Sequence, residues 1–217
     1  MATKPFFDWP GPLAFAHRGG AGAWPENTMP AFEGAIRLGY RYVETDVHVT
    51  ADGVLLAFHD AKLDRVTDRT GAISELPYSE VSRALVDGRE PIPLLEDILG
   101  TWPEVRVNID PKHDAAVEAL ARTIERSRAV DRVCIGSFSD RRLARLRKLL
   151  GPGLATSCGP RSVALLMAGT RRRFVEDCAQ VPPHRGRVRI VNERFLRLAR
   201  ARKLDVHVWT VDDPAVM

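Results

Sequence analysis

The sequence lacks any long apolar run. Nothing in its 217 residues approaches the roughly 18 consecutive apolar residues that a bilayer-spanning helix requires, which excludes such a helix. The N-terminal segment also lacks a long apolar stretch before Pro10 and Pro12, so we expect no signal peptide and a cytoplasmic protein. A glycine-rich dinucleotide-binding motif is missing as well, which argues against a nucleotide-binding doubly wound sheet.

Cysteine is scarce. The three cysteines are Cys134, Cys158 and Cys178, which are widely spaced and odd in number. They form neither a CxxC zinc-binding pair nor a paired disulfide framework. We therefore expect three buried, reduced thiols that pack as small apolar side chains.

Charge of one sign is not in large excess. The 32 basic and 28 acidic residues leave a formal net charge of +4, which is too small to indicate a nucleic-acid partner. Residues 171–173, Arg185 and Arg187 make the later half locally basic. A solvated face explains these arginines most simply, and steering of an anionic substrate is the alternative.

The chain is that of a folded globular protein, with 45% hydrophobic and 28% charged residues. Short β-branched runs alternate with amphipathic, helix-like stretches from one end to the other. Seven strands are predicted, near residues 13, 42, 105, 132, 154, 178 and 206. Repeated strand-then-helix units predict an α/β protein with a parallel sheet covered by helices.

Seven such units favour a TIM (β/α) barrel, formed by a single domain over residues 1–217. Asp52-Gly53 predicts a hairpin turn into Val54–Phe58, and the polar, less periodic residues 60–90 that follow predict an excursion from the main scaffold. A complete barrel has eight strands. We therefore expect this chain to lack the eighth β/α unit, which would leave strands one and seven with unpaired edges.

Charged side chains follow the first three predicted barrel strands. His17 and Arg18 come directly after the first. Glu44 and Asp46 lie two residues apart in the second, so both carboxylates project from one face. Asp110 and Lys112 repeat this spacing in the third. An isolated pair of this kind is typically a surface salt-bridge partner, but the recurrence at successive strand ends favours an active site. Its carboxylates form a hard-oxygen site for one divalent cation, Mg²⁺ or Ca²⁺.

Two of the six histidines lie where a strand ends at this face. These are His17 and His59, and the latter is followed by Asp60. Two imidazoles on either side of a phosphodiester can divide the general-base and general-acid roles, because their ordinary pKa lies near working pH. Arg18 and Lys112 would neutralise the phosphate oxygens. The remaining histidines are interpreted as structural or solvated.

These residues belong to a longer pattern. Its positions are His17-Arg18-Gly19, Pro25-Glu26-Asn27-Thr28, Ala31-Phe32, Gly39, Val43-Glu44-Thr45-Asp46-Val47, Thr50, Asp52-Gly53, His59-Asp60, Leu63, Arg65, Thr67, Gly71, Ile92-Pro93, Leu95, Asn108-Ile109-Asp110-Pro111-Lys112, Ser137-Phe138 and Val208-Trp209-Thr210-Val211. The pattern resembles the glycerophosphodiester phosphodiesterase family. The resemblance extends in order over residues 13–211 and is densest from 15 to 71.

The resemblance implies a TIM barrel with a small insertion after the second strand, at about residues 50–90. It also implies a metal-dependent hydrolase that cuts small-molecule glycerophosphodiesters into an alcohol and glycerol 3-phosphate. By position, the metal ligands would be Glu44, Asp46 and Asp110, and the acid–base pair would be His17 and His59. The same matching assigns phosphate binding to Arg18 and Lys112, the metal shell or a glycerol hydroxyl to Glu26, and a place in the pocket wall to Trp209.

The sequence departs from the family pattern in two respects. The third-strand acid is often Glu in the family and is Asp110 here, which requires a backbone shift or a water to offset the shorter side chain. The family's closing strand, with a glycine-rich, Thr-Asp-containing stretch, has no counterpart in the 217 residues.

Three alternatives stay open on the sequence. The first is a lysophospholipase D-type phosphodiesterase of the same fold, which would need an apolar lip that Trp24, Phe58, Leu76 and Trp209 are able to supply. The second is a catalytically impaired phosphate-binding homologue, and the third is a metal-independent structural protein. The attacking group also stays open, because either water or the glycerol 2-hydroxyl can attack the phosphorus.

Overall fold

The computed structural model describes residues 4–213. Its helices are α1 (Met29–Arg37), α2 (Tyr78–Val81), α3 (Leu95–Thr101), α4 (Ala116–Arg126), α5 (Asp140–Leu150), α6 (Pro160–Met167) and α7 (Glu193–Ala201). Its strands are β1 (Phe15–Ala16), β2 (Tyr42–Val49), β3 (Leu55–Ala57), β4 (Leu85–Val86), β5 (Glu90–Pro91), β6 (Arg106–Pro111), β7 (Val133–Ile135), β8 (Ala155–Thr156), β9 (Cys178–Val181), β10 (His184–Arg185), β11 (Val188–Arg189) and β12 (Asp205–Val208).

Seven of these strands run parallel in chain order. β1, β2, β6, β7 and β8 pair successively, a single bridge between Ser157 and Cys178 carries the order on to β9, and β9 pairs with β12. Helices α1 and α4 to α7 lie in the connections, as expected for right-handed β/α units. The fold is therefore α/β with a parallel sheet, as predicted.

The sheet curls so that its first and last strands face each other. The ring of Phe15 on β1 lies 5.0 Å from that of His207 on β12. Within residues 4–213 no ladder joins these two strands. The interior of the curved sheet is filled by side chains, as in barrel cores.

An N-terminal segment closes the amino-terminal end of the sheet. Phe6 is buried among side chains that include Tyr42, Cys134 and Cys178. The Tyr42 hydroxyl donates to the Phe6 carbonyl at 2.6 Å, and Lys4 pairs with Asp177 at 2.8 Å. These contacts leave the carboxyl ends of the strands as the open end.

The long connection between β2 and β6 carries its own small core. β3 turns back antiparallel on β2, and β4 and β5 form a separate hairpin. Its buried apolar side chains are Leu56, Phe58, Leu63, Ile73, Val81, Ala84, Val86 and Ile92. The segment packs on the sheet through β3, so it is folded although its sequence is polar.

All seven predicted barrel strands and the hairpin at Val54–Phe58 are confirmed, as are the buried, unpaired cysteines. The sequence did not predict β4 and β5 or the hairpin of β10 and β11, since these are two-residue strands without alternating hydrophobicity. No helix of the part described here has the length and apolar character needed to cross a bilayer.

Candidate active site

The turn after β1 aims two side chains and one backbone amide into the open end of the sheet. His17–Gly19 form a 3₁₀ turn in which Arg18 has φ 50°, an uncommon conformation for a residue with a side chain. In this conformation the Arg18 backbone N–H donates to Glu44 Oε2 at 3.0 Å. Its guanidinium donates to both Glu26 oxygens at 3.1 Å. The strained turn is therefore held by two carboxylates of the predicted site.

Strands β2 and β6 bring the other predicted charges together, because Asp46 and Asp110 are register partners. Lys112 Nζ lies 2.6 Å from Asp46 Oδ1 and 2.8 Å from Asp110 Oδ2. Arg18 Nε lies 3.7 Å from Asp46 Oδ2, and His17 Nε2 lies 3.8 Å from Glu44 Oε2.

Direct contacts thus connect seven of the nine predicted site residues. These are His17, Arg18, Glu26, Glu44, Asp46, Asp110 and Lys112.

Burial and mutual repulsion disfavour negative charge on these carboxyls. Burial, with the charge of Asp46, raises the pKa of Glu44 to about 8. Burial also raises the pKa of Asp110. Burial alone would lower the pKa of Lys112, but Asp110 and Asp46 outweigh it and the pKa of the lysine is raised. Negative charge is therefore disfavoured on Glu44 and Asp110, and positive charge is favoured on Lys112.

A hard divalent cation fits this donor set by chemistry. Asp46 Oδ2 and Asp110 Oδ1 are buried and have no hydrogen-bond partner among residues 4–213, so each has an oxygen available to a ligand. In the same part of the chain, however, no three His, Cys, Asp or Glu side chains lie close enough together to surround a metal. Lys112 Nζ instead bridges Asp46 and Asp110. The metal-ligand roles of Glu44, Asp46 and Asp110 stay a prediction.

His59 is held at the site by an acidic neighbour. Its Nδ1 lies 2.5 Å from Asp60 Oδ1, which leaves Nε2 as the ring atom for proton exchange. Asp60 in turn accepts from Arg65 Nε at 2.5 Å, and this hydrogen bond lowers the pKa of Asp60 to about 2.

Arg65 also donates to Glu26, with Nη2 at 2.7 Å from Oε1. Burial opposes ionisation of Glu26, but the hydrogen bond from Arg65 and the charge of Arg18 lower its pKa overall. The chain from His59 through Asp60, Arg65 and Glu26 to Arg18 therefore connects the two histidine-bearing segments.

His17 stays neutral at lower pH than an ordinary histidine. Burial lowers the pKa of His17, and the adjacent Arg18 charge lowers it further. Asp212 is among the charges that act on it, so the segment after β12 passes near this side of the site. A neutral imidazole is the form that accepts a proton.

Trp209 lies apart from the charged cluster. Its ring packs edge-to-face on Phe138 at 5.7 Å, and both rings are exposed at the open end of the sheet. Of the other aromatic and apolar side chains considered for a lip, Phe58 is buried in the core of the long connection and Trp24 packs over Gly34.

Sequence reasoning missed three polar groups around the site. The role of Arg65 was not predicted, nor was that of Arg142, whose Nη1 donates to the Pro111 carbonyl at 2.5 Å beside the end of β6. Gln180 on β9 donates to Asn108 Oδ1 at 2.7 Å and lies 3.3 Å from His207 Nδ1. For Gln180 and its partner Asn108, the sequence signal was the position of Asn108 two residues before Asp110, which places both side chains on the same face of β6.

The chain is similar in sequence to proteins of one family. Residues 17–217 match the sequence model of the glycerophosphoryl diester phosphodiesterase family. A probable glycerophosphodiester phosphodiesterase 2 of Mycobacterium tuberculosis is 40% identical over 225 residues, covering 99% of this chain and 85% of the relative. A mouse lysophospholipase D is 37% identical over 110 residues, covering 45% of this chain and 35% of the relative.

Solved structures share the fold. A glycerophosphodiester phosphodiesterase from Agrobacterium tumefaciens superposes with a TM-score of 0.78 at 23% identity, over 93% of this chain and 88% of that one. An Oleispira antarctica phosphodiesterase in complex with the product sn-glycerol-3-phosphate gives 0.77 at 21% identity, over 94% and 87%. At these identities the similarity shows the fold of the family, which is a TIM barrel. The match over residues 17–217 shows more: the chain belongs to the glycerophosphoryl diester phosphodiesterase family of phosphoric diester hydrolases.

Proposed function

We propose that this protein hydrolyses glycerophosphodiesters to an alcohol and glycerol 3-phosphate. The observation that carries the proposal is the connected cluster of seven residues, in which two cations, an imidazole and four carboxyls, two of them buried, meet at the open end of the sheet beside β1, β2 and β6. Relatives named for this activity, and a structural neighbour solved with glycerol 3-phosphate, support it.

The two histidines divide the proton transfers. His17 acts as the general base, because burial and Arg18 keep it neutral and able to take a proton from the attacking hydroxyl. His59 acts as the general acid, because Asp60 holds its ring through Nδ1 and leaves Nε2 to protonate the leaving alkoxide. Arg18 and Lys112 bind the phosphate oxygens and stabilise the charge that develops there.

Glu44, Asp46 and Asp110 hold one divalent cation, Mg²⁺ or Ca²⁺. When bound, the cation supplies positive charge to the phosphate oxygens. The two unpartnered oxygens, on Asp46 and Asp110, and the raised pKa of Glu44 support this assignment. Glu26 orients Arg18, and Trp209 lines the outer wall of the pocket.

We further propose that residues 1–217 belong to one barrel domain and that residues 50–90 are an insertion into it. The seven parallel strands and the separate small core of the long connection support this organisation.

A lysophospholipid is the second candidate substrate. The exposed pair of Phe138 and Trp209 offers an apolar surface at the open end, beside which one acyl chain would pack.

Choline release from glycerophosphocholine and from lysophosphatidylcholine, with and without EDTA, tests the function and separates the two substrates. We expect turnover that EDTA abolishes, and a fall of about 10²–10⁴-fold in turnover for His17→Ala and for His59→Ala. Near-normal rates in either variant would remove that histidine from its role. No release from either substrate would favour a phosphate-binding protein without activity.

A further inference from the structure

The hairpin of β10 and β11 stands at the open end of the barrel. It follows the carboxyl end of β9, and its base is closed by the backbone N–H groups of Ile190 and Val191, which both donate to the Pro183 carbonyl. At the foot of the hairpin the Trp209 N–H donates to the Val181 carbonyl at 3.2 Å. The hairpin is therefore next to the exposed aromatic pair of Phe138 and Trp209.

The hairpin presents positive charge with one apolar side chain. All of residues 184–189 are exposed, including Arg185, Arg187 and Arg189. Val188 is 56% exposed and is the register partner of Arg185, so the two share a face. Among residues 4–213, the side chains of Arg185 and Arg187 have no hydrogen bond or ion pair. Nothing within the described fold accounts for this concentration of charge.

The hairpin belongs to a strongly basic segment of the chain. Residues 141–203 contain 17 Lys and Arg against 3 Asp and Glu, whereas the remainder contains 15 against 25. The small overall net charge conceals this asymmetry. The acidic residues of the site, Glu26, Glu44, Asp46 and Asp110, lie outside this segment.

Exposed apolar groups accompany this charge. Phe138 is 67% exposed, and Val188 and Trp209 are also exposed at the same end. Arginines that flank exposed aromatic and aliphatic side chains are typical of surfaces that lie in the headgroup region of a bilayer. A track for single-stranded nucleic acid instead has separate rings for successive bases, and Phe138 and Trp209 pack on each other.

From this arrangement we propose that residues 184–189, together with Phe138 and Trp209, dock the open end of the barrel on an anionic lipid bilayer. The arginines pair with anionic headgroups, and Val188 and Phe138 enter the interface. The proposal concerns binding, and it stands whether or not the site hydrolyses the substrate proposed above.

Sedimentation with vesicles tests the proposal without any activity measurement. We expect the protein to bind vesicles of phosphatidylglycerol and phosphatidylcholine in equal parts, to bind pure phosphatidylcholine far more weakly, and to be released by salt. Because each arginine near an anionic surface contributes about fivefold, Arg185→Glu/Arg187→Glu should lower the partition coefficient at least tenfold.

The matched control is Arg41→Glu/Arg122→Glu, which changes net charge equally at two exposed positions elsewhere. If the location of the arginines matters beyond the net charge, this control variant should bind the vesicles within about twofold of the wild type. Val188→Ser, which leaves charge unchanged, should weaken binding as well. Equal losses in the hairpin and control variants, no binding by the wild type, or tighter hairpin-dependent binding to a DNA oligonucleotide would overturn the proposal.

Discussion

Arg65 shows how one side chain can position two candidate catalytic groups. Its guanidinium holds Asp60, which fixes His59, and Glu26, which fixes Arg18. Its planar fork contacts both carboxylates at once, which a lysine ammonium cannot reproduce with the same geometry. Loss of Arg65 should therefore affect proton transfer and phosphate binding together.

A double-mutant cycle separates these two effects. We expect Arg65→Gln to lower kcat about 10–100-fold and to raise KM, with Arg65→Lys between it and the wild type. Asp60→Asn/Arg65→Gln should have nearly the kcat of Asp60→Asn alone, since both changes release His59. The control is Arg69→Gln, whose Nε donates only to the Arg83 carbonyl. Additive losses in the cycle would mean that Arg65 does not act through Asp60.

Site residues could be predicted where strand parity alone determines their direction. Glu44 and Asp46 share a face because they lie two apart in β2, and Asp46 meets Asp110 because parallel strands end together. The contact of Arg65 with Glu26 could not be predicted, since it joins residues 39 apart through a connection of irregular backbone. The contact of Lys112 with both Asp46 and Asp110 could not be predicted either, because these two carboxylates lie on different strands.

At the scale of elements, helix α1 shows how the loop that carries Glu26 is placed. The Trp24 ring lies directly against Gly34, so that a Cβ at this position would overlap the ring. Glycine in a helix costs about 0.5–1 kcal/mol relative to alanine. The close approach of helix and loop, which holds the segment 24–27 beside the site, is the physical reason for a glycine at this position.

Gly34→Ala should therefore destabilise the protein although alanine is the better helix former. We expect a loss of about 1–3 kcal/mol in the free energy of unfolding from overpacking. Gly100→Ala in α3, where a Cβ meets nothing within 4 Å, should instead gain about 0.5 kcal/mol. Urea unfolding of both variants checks the pair. If Gly34→Ala also stabilised the protein, helix propensity and not the Trp24 contact would decide stability at Gly34.

The elements differ in how far local sequence predicts them. β2 and β6 are almost wholly buried, and β-branched residues alternate with polar ones along both, so the sequence predicts both strands. The hairpin of β10 and β11 has only two paired residues on each side and an exposed arginine-rich sequence, which lacks the alternation expected of a strand. Its existence depends on the backbone hydrogen bonds at Pro183, which no local pattern reveals.

At the scale of the whole molecule, the interior of the barrel joins distant parts of the chain. Phe7, Phe15 and His207 come from the N-terminal segment, the first strand and the last described strand. The ring of His207 lies 6.0 Å from that of Phe7 and 5.0 Å from that of Phe15. The number and order of the strands were predictable from repetition. The position of Phe6, which closes the amino-terminal end of the barrel, was not predictable. It depends on a 3₁₀ turn that lies outside the repeated strand–helix units.

His207 makes the stability of this interior depend on pH. Burial lowers its pKa to about 4, whereas an unfolded histidine titrates near 6.5. The neutral ring is therefore favoured in the folded state, and the stabilisation is complete above about pH 6.5 and lost as pH falls towards 4. At the lower limit this loss approaches about 3 kcal/mol.

His207→Asn tests this pH dependence, because the Asn amide oxygen can replace Nδ1 as the partner of Gln180 without titrating. We expect the variant to be less stable than the wild type at pH 7, where the ring contacts with Phe15 and Phe7 are lost. Between pH 6.5 and 4.5 its urea midpoint should fall less steeply. Protonation of carboxylates with a lowered pKa, such as Asp60, reduces the stability of both proteins equally as the pH falls. The difference between the two curves therefore isolates the contribution of His207. Parallel curves would show that the imidazole is already solvated and able to take up a proton in the folded barrel.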